Sequence, residues 1–287
     1  MIADHDDERE ADSTVSPGIH IVPIPAFQDN YIWRVGCTDI PGQPMLVVDP
    51  GDAEPVIADL QALGSPLAAI LITHHHADHV GGIQVLKHHW PQAQVVGPKS
   101  CVVHGVETVL SHGEVFTLPS LGFRAEVIAT PGHTADHISY YCPALPGQPA
   151  PVLFCGDTLF AAGCGRIFDG TMAQQFRSLT TLAMLPMETR VHAAHEYTLT
   201  NLYFARQAEP NNQRILQQLE SCLQLRAEGL PTLPSTMAIE AATNPFLRTH
   251  LPTLSANLPP EVAPRNNDPL AVFQALRSWR NDFRPPK

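Results

Sequence analysis

The stretch Thr73-His74-His75-His76-Ala77-Asp78-His79-Val80-Gly81-Gly82 sets three imidazoles and a carboxylate at His-x-His-x-Asp-His spacing, closed by a glycine pair. Histidine with aspartate suits zinc or another divalent cation of similar character, and four such ligands are too many for one ion that keeps an open position. Just before them, Leu67-Ala68-Ala69-Ile70-Leu71-Ile72 is an apolar run of strand length. The ligands therefore fall on a loop where a buried strand stops. In extended backbone His74 and His76 point to one side and His75 to the other, to support a ligand from behind or to pack. Asp78 and His79 then open a helix through Val80 that aims back at the same spot. Two metal ions are expected.

Further pieces able to complete such a pair each follow a short apolar run, where a strand would deliver them to a common edge. They are Thr130-Pro131-Gly132-His133-Thr134, Cys155-Gly156-Asp157-Thr158 and His195-Glu196-Tyr197-Thr198. A two-ion site needs a ligand that spans both ions. A carboxylate with two oxygens can do so and an imidazole cannot, which selects Asp157.

This set of residues resembles the metallo-β-lactamase superfamily of hydrolases and, within it, the glyoxalase II (hydroxyacylglutathione hydrolase) family. The likeness runs from about residue 18 to the end and includes Asp29-Asn30-Tyr31, Val48-Asp49-Pro50-Gly51 and Ala162-Gly163-Cys164-Gly165-Arg166. It implies that the first ion takes His74, His76, His133 and Asp157, and the second Asp78, His79, His195 and Asp157. It implies two divalent metal ions per chain, zinc first, with iron or manganese as alternatives. It further implies that Arg166, Phe168, Tyr197, Arg277 and Arg280 hold the glutathione part of a thioester. Arginine stands at 166 and 280 where the family often has lysine, so the charge survives. Phe168 stands where tyrosine is frequent, and the lost hydroxyl removes about one neutral hydrogen bond, ~0.5–1.5 kcal/mol. The expected reaction is hydrolysis of S-(2-hydroxyacyl)glutathione, S-D-lactoylglutathione foremost, by a hydroxide bridging two metals about 3.5–4 Å apart. Asp157 as the bridge and Asp78, orienting the second ion and handling a proton late in the cycle, are the carboxylates expected to serve catalysis. Three rivals are a one-iron persulfide dioxygenase of the same fold, an exported β-lactamase and a non-catalytic metal-binding protein.

Short apolar runs alternate with helical patterns along the chain. Strands are expected at Ile19–Ile24, Tyr31–Val35, Met45–Val48, Ala68–Ile72, Ala125–Ala129, Ile138–Cys142, Val152–Phe154 and Val191–Ala194. Helices are expected at Ala53–Leu63, Ile83–His89 and Met172–Leu185, the last opened by the capping box Thr171-x-x-Gln174. Two sheets with helices outside fit this order and resemble the αββα sandwich of the superfamily, an α/β fold. After His195 the pattern turns helical, with Leu202–Gln207, Gln213–Arg226 (Ile215, Leu219, Cys222 and Leu223 on one face) and, behind the Asp268-Pro269 cap, Leu270–Asp282. The domains expected are a disordered acidic tail at 1–17, a catalytic domain at 18–198 and a helical, substrate-binding C-terminal domain at 199–287.

Charge agrees with that division. The chain carries −11 overall, yet from Arg265 onward five basic residues stand against two acidic ones. Arg277 and Arg280, three apart on the last helix, share a face, and guanidinium groups grip carboxylates in pairs. With 44% hydrophobic and 16% charged residues the composition is that of a globular protein. No apolar stretch is long enough to span a bilayer, and there is no basic patch with aromatics for nucleic acid. Six scattered cysteines, Cys155 and Cys164 among them, read as buried thiols of a reduced chain. Residues 1–12 hold six acids and one base, unlike a signal peptide or mitochondrial presequence. A cytoplasmic monomer acting on a small glutathione thioester, without membrane or nucleic-acid partners, is the expectation. Of fifteen histidines, His137 is expected beside a ligand. His88, His89, His104, His112, His192 and His250 lack ligand-like spacing.

Overall fold

A computed structural model describes residues 18–285, so the acidic segment 1–17, with its expected disorder, lies outside the described residues. Two six-stranded sheets face each other. The first runs in spatial order β1 (His20–Ala26), β2 (Asn30–Gly36), β3 (Met45–Val48), β4 (Leu67–Leu71), β5 (Gln94–Gly97) and β6 (Thr108–Val109). The second begins with β7 (Val115–Leu118), β8 (Phe123–Ala129), β9 (Ile138–Cys142) and β10 (Val152–Gly156). After a small hairpin, β11 (Leu159–Phe160) and β12 (Gly163–Cys164), it is completed by β13 (Arg190–Ala193) and β14 (Ser235–Thr236). In the first sheet β1 to β3 pair antiparallel and β3 to β6 parallel.

Alternation along β2 and β3 explains the layering. Trp33, Val35, Leu46 and Val48 enter the core between the sheets, while Ile32, Met45 and Val47 pack outward under α1 (Ala53–Leu63) and α3 (Ile83–His89). Strands buried on both faces read as unbroken apolar runs. On the other side, α4 (Met172–Leu182) contributes Leu179 and Leu182 to the core that holds the second sheet. This is the expected αββα sandwich. The short α2 (Ala77–Val80) sits between β4 and α3 and carries part of the metal motif.

The C-terminal region is helical: α5 (Thr198–Ala208), α6 (Gln213–Ala227), α7 (Met237–Thr243), α8 (Pro252–Ala256) and α9 (Pro269–Asp282). It is tied into the sandwich, because β14 pairs with β13, and Val272, Phe273 and Leu276 of α9 join the inter-sheet core cluster. Asp268 caps α9 by accepting the Ala271 N–H at 3.1 Å, with Pro269 in the first turn.

Several boundaries differ from expectation. Helix α5 starts at Thr198 rather than Leu202, and α4 stops at Leu182 rather than Leu185, although Thr171 caps its start by accepting the Gln174 N–H at 3.2 Å. Strands β5 and β7 were not expected: only Val95 and Val96 are apolar between Gln94 and Gly97, and Thr117 interrupts the apolar run of β7. Helices α7 and α8 lie between α6 and α9, where no helix was expected. Leu223, expected on the buried face of α6, is 40% exposed, while Ile215, Leu219 and Cys222 pack inward.

Glu240 of α7 is fully buried, and burial pushes its carboxyl up to about 7. The fold thus favours the neutral acid. Its contribution to stability is present below about pH 4.5, the unfolded value, and is lost as pH rises through about 7. Between pH 5 and 8 the wild type should lose on the order of 2 kcal/mol relative to Glu240→Gln, several degrees of Tm, in paired thermal melts. Parallel curves for the two proteins would contradict this.

Candidate metal centre

All the proposed ligands lie where strands end at one edge of the sandwich. His74 and His76 follow β4, His133 follows β8, Asp157 follows β10 and His195 follows β13, while Asp78 and His79 lie on α2. Besides a group of Asp49, His74 and His79, two triads of ligand atoms gather within 4.8 Å, His74/His76/His133 and Asp78/His79/His195. Asp157 stands between them. Its Oδ2 is 3.4 Å from His133 Nε2, and its Oδ1 lies 3.3 and 3.5 Å from the Nε2 atoms of His195 and His79. One carboxylate thus turns an oxygen to each triad.

The outer ring nitrogens fix which atom faces inward. His133 Nδ1 lies 2.6 Å from the Arg166 carbonyl, and His195 Nδ1 lies 2.9 Å from Asp29 Oδ1. Both acceptors require an Nδ1–H, which leaves the Nε2 lone pair pointing into the site. Thr73 Oγ1 donates to Asp49 Oδ2 at 2.7 Å, so it accepts from His74 Nδ1 at 3.0 Å, and His74 is fixed the same way. Asp49 Oδ2 also lies 3.1 Å from His79 Nδ1. His76 is the exception, facing inward through Nδ1, at 2.9 Å from His133 Nε2 and 3.1 Å from His74 Nε2.

These residues fit a pair of cations. His79 Nε2 and Asp157 Oδ1 are buried with no hydrogen-bond partner. Burial alone would depress His79 and His195, but Asp157 and the other facing carboxylates override it, holding His79 well above its usual range and lifting His195 to about 9. Burial would likewise raise Asp157, yet His195 and His79 keep it well below the usual carboxylate range. His79 and Asn30 do the same for Asp78. In the other triad, burial lowers His74, His76 and His133, leaving them as neutral donors. Carboxylates that call for positive charge, beside unprotonated nitrogens, are met by divalent metal.

Close backbone packing explains the glycines of the motif. A Cβ on Gly81 would lie 2.6 Å from the Gly51 carbonyl oxygen, and one on Gly82 2.5 Å from that of Pro50. The Gly82 N–H donates to that Pro50 carbonyl at 2.9 Å. The Asp78–His79 turn is thereby clamped onto the loop after β3.

His75 turns away towards Asp169, 4.0 Å from its Oδ2. His137 is fully buried, and its Nε2 accepts the Asp157 backbone N–H at 3.2 Å, a bond to a proposed ligand through the main chain. His192 is buried edge-on against Trp33, and burial depresses it to about 3. All six cysteines are free and buried, and burial pushes Cys155 and Cys164 up, away from thiolate character.

Above the ligands opens a cavity of about 390 Å³. His76, Asp78, His133, Asp157 and His195 line it together with Arg166, Phe168, Tyr197, Arg277 and Arg280. The Tyr197 ring stacks on His195 at 4.7 Å between centroids and 5° between planes. Phe168 is 62% exposed, its edge against His76 and His133. Arg280 donates to Asn201 Oδ1 at 3.1 Å. Arg277 is buried; one arm donates to the Cys164 carbonyl at 2.8 Å and the other to Asn281 Oδ1 at 3.1 Å, while its Nε has no partner. Phe160, Asn201 and Arg284 also line the cavity, and sequence reasoning gave them no role. A larger cavity, about 670 Å³, lies apart near α6 and α8, where Glu209 is taken up by Arg248 at 2.8 Å.

Asp29, Asp49 and Thr73 were missed as anchors of the ligands, although the first two fell in stretches noted for their likeness. Asp29→Ala, removing the acceptor behind His195, should weaken metal binding about tenfold. Competition with a chelator of known affinity measures this, and unchanged affinity would contradict the anchoring role.

Family models for the metallo-β-lactamase superfamily and for the hydroxyacylglutathione hydrolase C-terminus match residues 40–196 and 196–283 respectively. A protein named hydroxyacylglutathione hydrolase from Chromohalobacter salexigens is 47% identical over 266 residues, covering 92% of this chain and 99% of its own. Among solved structures, ETHE1 from Myxococcus xanthus superposes with a TM-score of 0.56 at 26% identity, covering 91% of this chain and 97% of its own. TTHA1623 in a di-iron-bound form does so with a TM-score of 0.53 at 25% identity, covering 79% of this chain and 100% of its own.

Proposed function

Because the chain belongs to the hydroxyacylglutathione hydrolases of the metallo-β-lactamase superfamily, we propose that it hydrolyses S-(2-hydroxyacyl)glutathione thioesters, S-D-lactoylglutathione foremost. Water and thioester give a 2-hydroxy acid and glutathione. The observation that carries this reading is that one cavity joins a carboxylate shared between two ligand triads to a wall of arginines from α9.

His74, His76 and His133 would hold one ion and Asp78, His79 and His195 the other, with Asp157 shared. Two divalent ions there would lower the pKa of water and polarise the thioester carbonyl. Zinc is the first choice for such a His/Asp set, with iron and manganese as alternatives; the di-iron form of TTHA1623 supports iron as an occupant of this fold. Asp157 would keep the two triads in register. Asp78, which accepts from Asn30 Nδ2 at 3.0 Å, would hold its triad and take a proton late in the cycle.

The rest of the work is positioning. Arg166, Arg277 and Arg280 would take the two carboxylates of glutathione, and Tyr197 would offer a flat wall beside His195. Phe168 supplies contact without the hydroxyl frequent in relatives. A thiolate leaves readily, its conjugate acid having a pKa of about 8.5, so no strong protein acid is required. Among the described residues no helix is long and apolar enough to cross a membrane. The six free thiols support a reducing compartment, and we place the protein in the cytoplasm.

Release of free thiol from S-D-lactoylglutathione by the purified protein tests the reading. Rapid release supports it; no release, with oxygen consumed on glutathione persulfide, would overturn it. Burial lowers Arg280 to about 10, which leaves it charged at neutral pH. Arg280→Ala should raise KM about tenfold, the loss of a charge-assisted hydrogen bond, and change kcat little. Steady-state kinetics check this, and an unchanged KM would remove Arg280 from the substrate site.

A further inference from the structure

Glu240 is fully buried and lines no part of the cavity, yet its hydrogen bonds lead to it. Its Oε2 accepts from the Ala162 N–H at 2.8 Å and from Asn244 Nδ2 at 3.0 Å, and its Oε1 accepts from Ser235 Oγ at 2.5 Å. Asn244 Nδ2 also donates to the carbonyls of Gly163 at 2.9 Å and Phe160 at 3.2 Å. The β11–β12 hairpin is therefore hung from α7 by a carboxyl group and an amide. Ala162 at its tip has φ +53, in the left-handed region where an alanine needs such holding.

Both ends of the hairpin run into the site. The Phe160 ring packs edge-on against Tyr197 at 5.2 Å and His195 at 5.8 Å. Two residues past Cys164, Arg166 lines the cavity, and its carbonyl meets His133 Nδ1 at 2.6 Å.

We propose that Glu240 is a positioning residue for substrate recognition: by holding the Ala162 N–H from α7 it sets the β11–β12 hairpin, and so aims Arg166 at a carboxylate of the glutathione moiety. This rests on the reading of glutathione thioesters as substrates. The three donors converging on Glu240 are neutral, and burial holds its carboxyl near 7, so glutamine can replace it with its oxygen on Ala162 and Asn244 and its amide on Ser235. Alanine cannot.

The test compares wild type, Glu240→Ala and Glu240→Gln on S-D-lactoylglutathione and on a lactoyl thioester of N-acetylcysteamine, which lacks the glutathione carboxylates, with metal content measured on each protein. Glu240→Ala should raise KM for the glutathione thioester about tenfold, leave kcat within about threefold, keep its metal and leave kcat/KM for the truncated thioester unchanged. Glu240→Gln should bring KM back to within about twofold of wild type. An unchanged KM in Glu240→Ala overturns the proposal, as does an equal loss on both thioesters. Should Glu240→Ala not fold, Glu240→Asp, which draws the acceptor back by one methylene, decides: raised KM at unchanged kcat supports the proposal and unchanged KM overturns it. Absence of wild-type turnover overturns the substrate reading and the proposal with it, whereas wild-type turnover with an indifferent Glu240→Ala overturns the proposal alone.

Discussion

Replacing Asp157 with alanine should lower kcat/KM on the order of 10³-fold and reduce bound metal from about two ions per chain to one or fewer. The geometry is specific: Oδ1 faces His79 and His195 and Oδ2 faces His133, so a single truncation withdraws an oxygen from both triads. It also removes the charge that does most to hold His79 and His195 as acceptors of a cation. Asp157→Asn, which keeps the shape and one oxygen, should fall between alanine and wild type. Elemental analysis and thiol release on the same samples measure both quantities. A fully active Asp157→Ala protein holding one ion would sink the shared-carboxylate account.

Gly51→Ala should be the most damaging single methyl group added outside the ligands. A Cβ there would lie 1.8 Å from the Asp78 carbonyl oxygen and 2.8 Å from Asp78 Cα, and both are backbone, with no flexible side chain to give way. The Asp78–His79 turn must move. Overpacking of this kind costs about 1–3 kcal/mol in stability, and displacement of two proposed ligands should weaken the second ion about 10- to 100-fold. The first triad, which stands on β4 and β8, should keep its ion. Metal titration and a thermal melt check the prediction. Two tightly held ions and a wild-type Tm would contradict it.

How much of this could be read from the sequence depended on how far apart the partners lie in the chain. The run His74 to His79 is contiguous, so its ligand chemistry and its place at a strand end were legible. Asp157 was legible because a two-oxygen ligand is needed between two ions and it follows an apolar run. Asp29 was not, because its partner His195 lies 166 positions away. Asp49, whose partners Thr73 and His79 reach it only through the parallel pairing of β3 with β4, appeared merely as part of a familiar stretch. Glu240 in Met237-Ala-Ile-Glu-Ala-Ala-Thr243 looks like any solvated surface acid, and only the fold shows it buried. Arg277 and Arg280 could be paired on one face from their spacing. That the two arms of Arg277 are spent on the Cys164 carbonyl and on Asn281 could not. The sandwich itself was legible because strands buried on both faces leave apolar runs, whereas β5, with only Val95 and Val96 between Gln94 and Gly97, leaves too little pattern.

The two triads that share Asp157 would hold a pair of ions, and hydrolysis of the glutathione thioester should need both. This requirement is tested most directly by stripping the protein of metal and adding zinc back in measured equivalents while following thiol release from S-D-lactoylglutathione. Activity should rise to a plateau at two equivalents per chain in the wild type, with no comparable rise in Asp157→Ala. A plateau at one equivalent, or an equal response from Asp157→Ala, would contradict it.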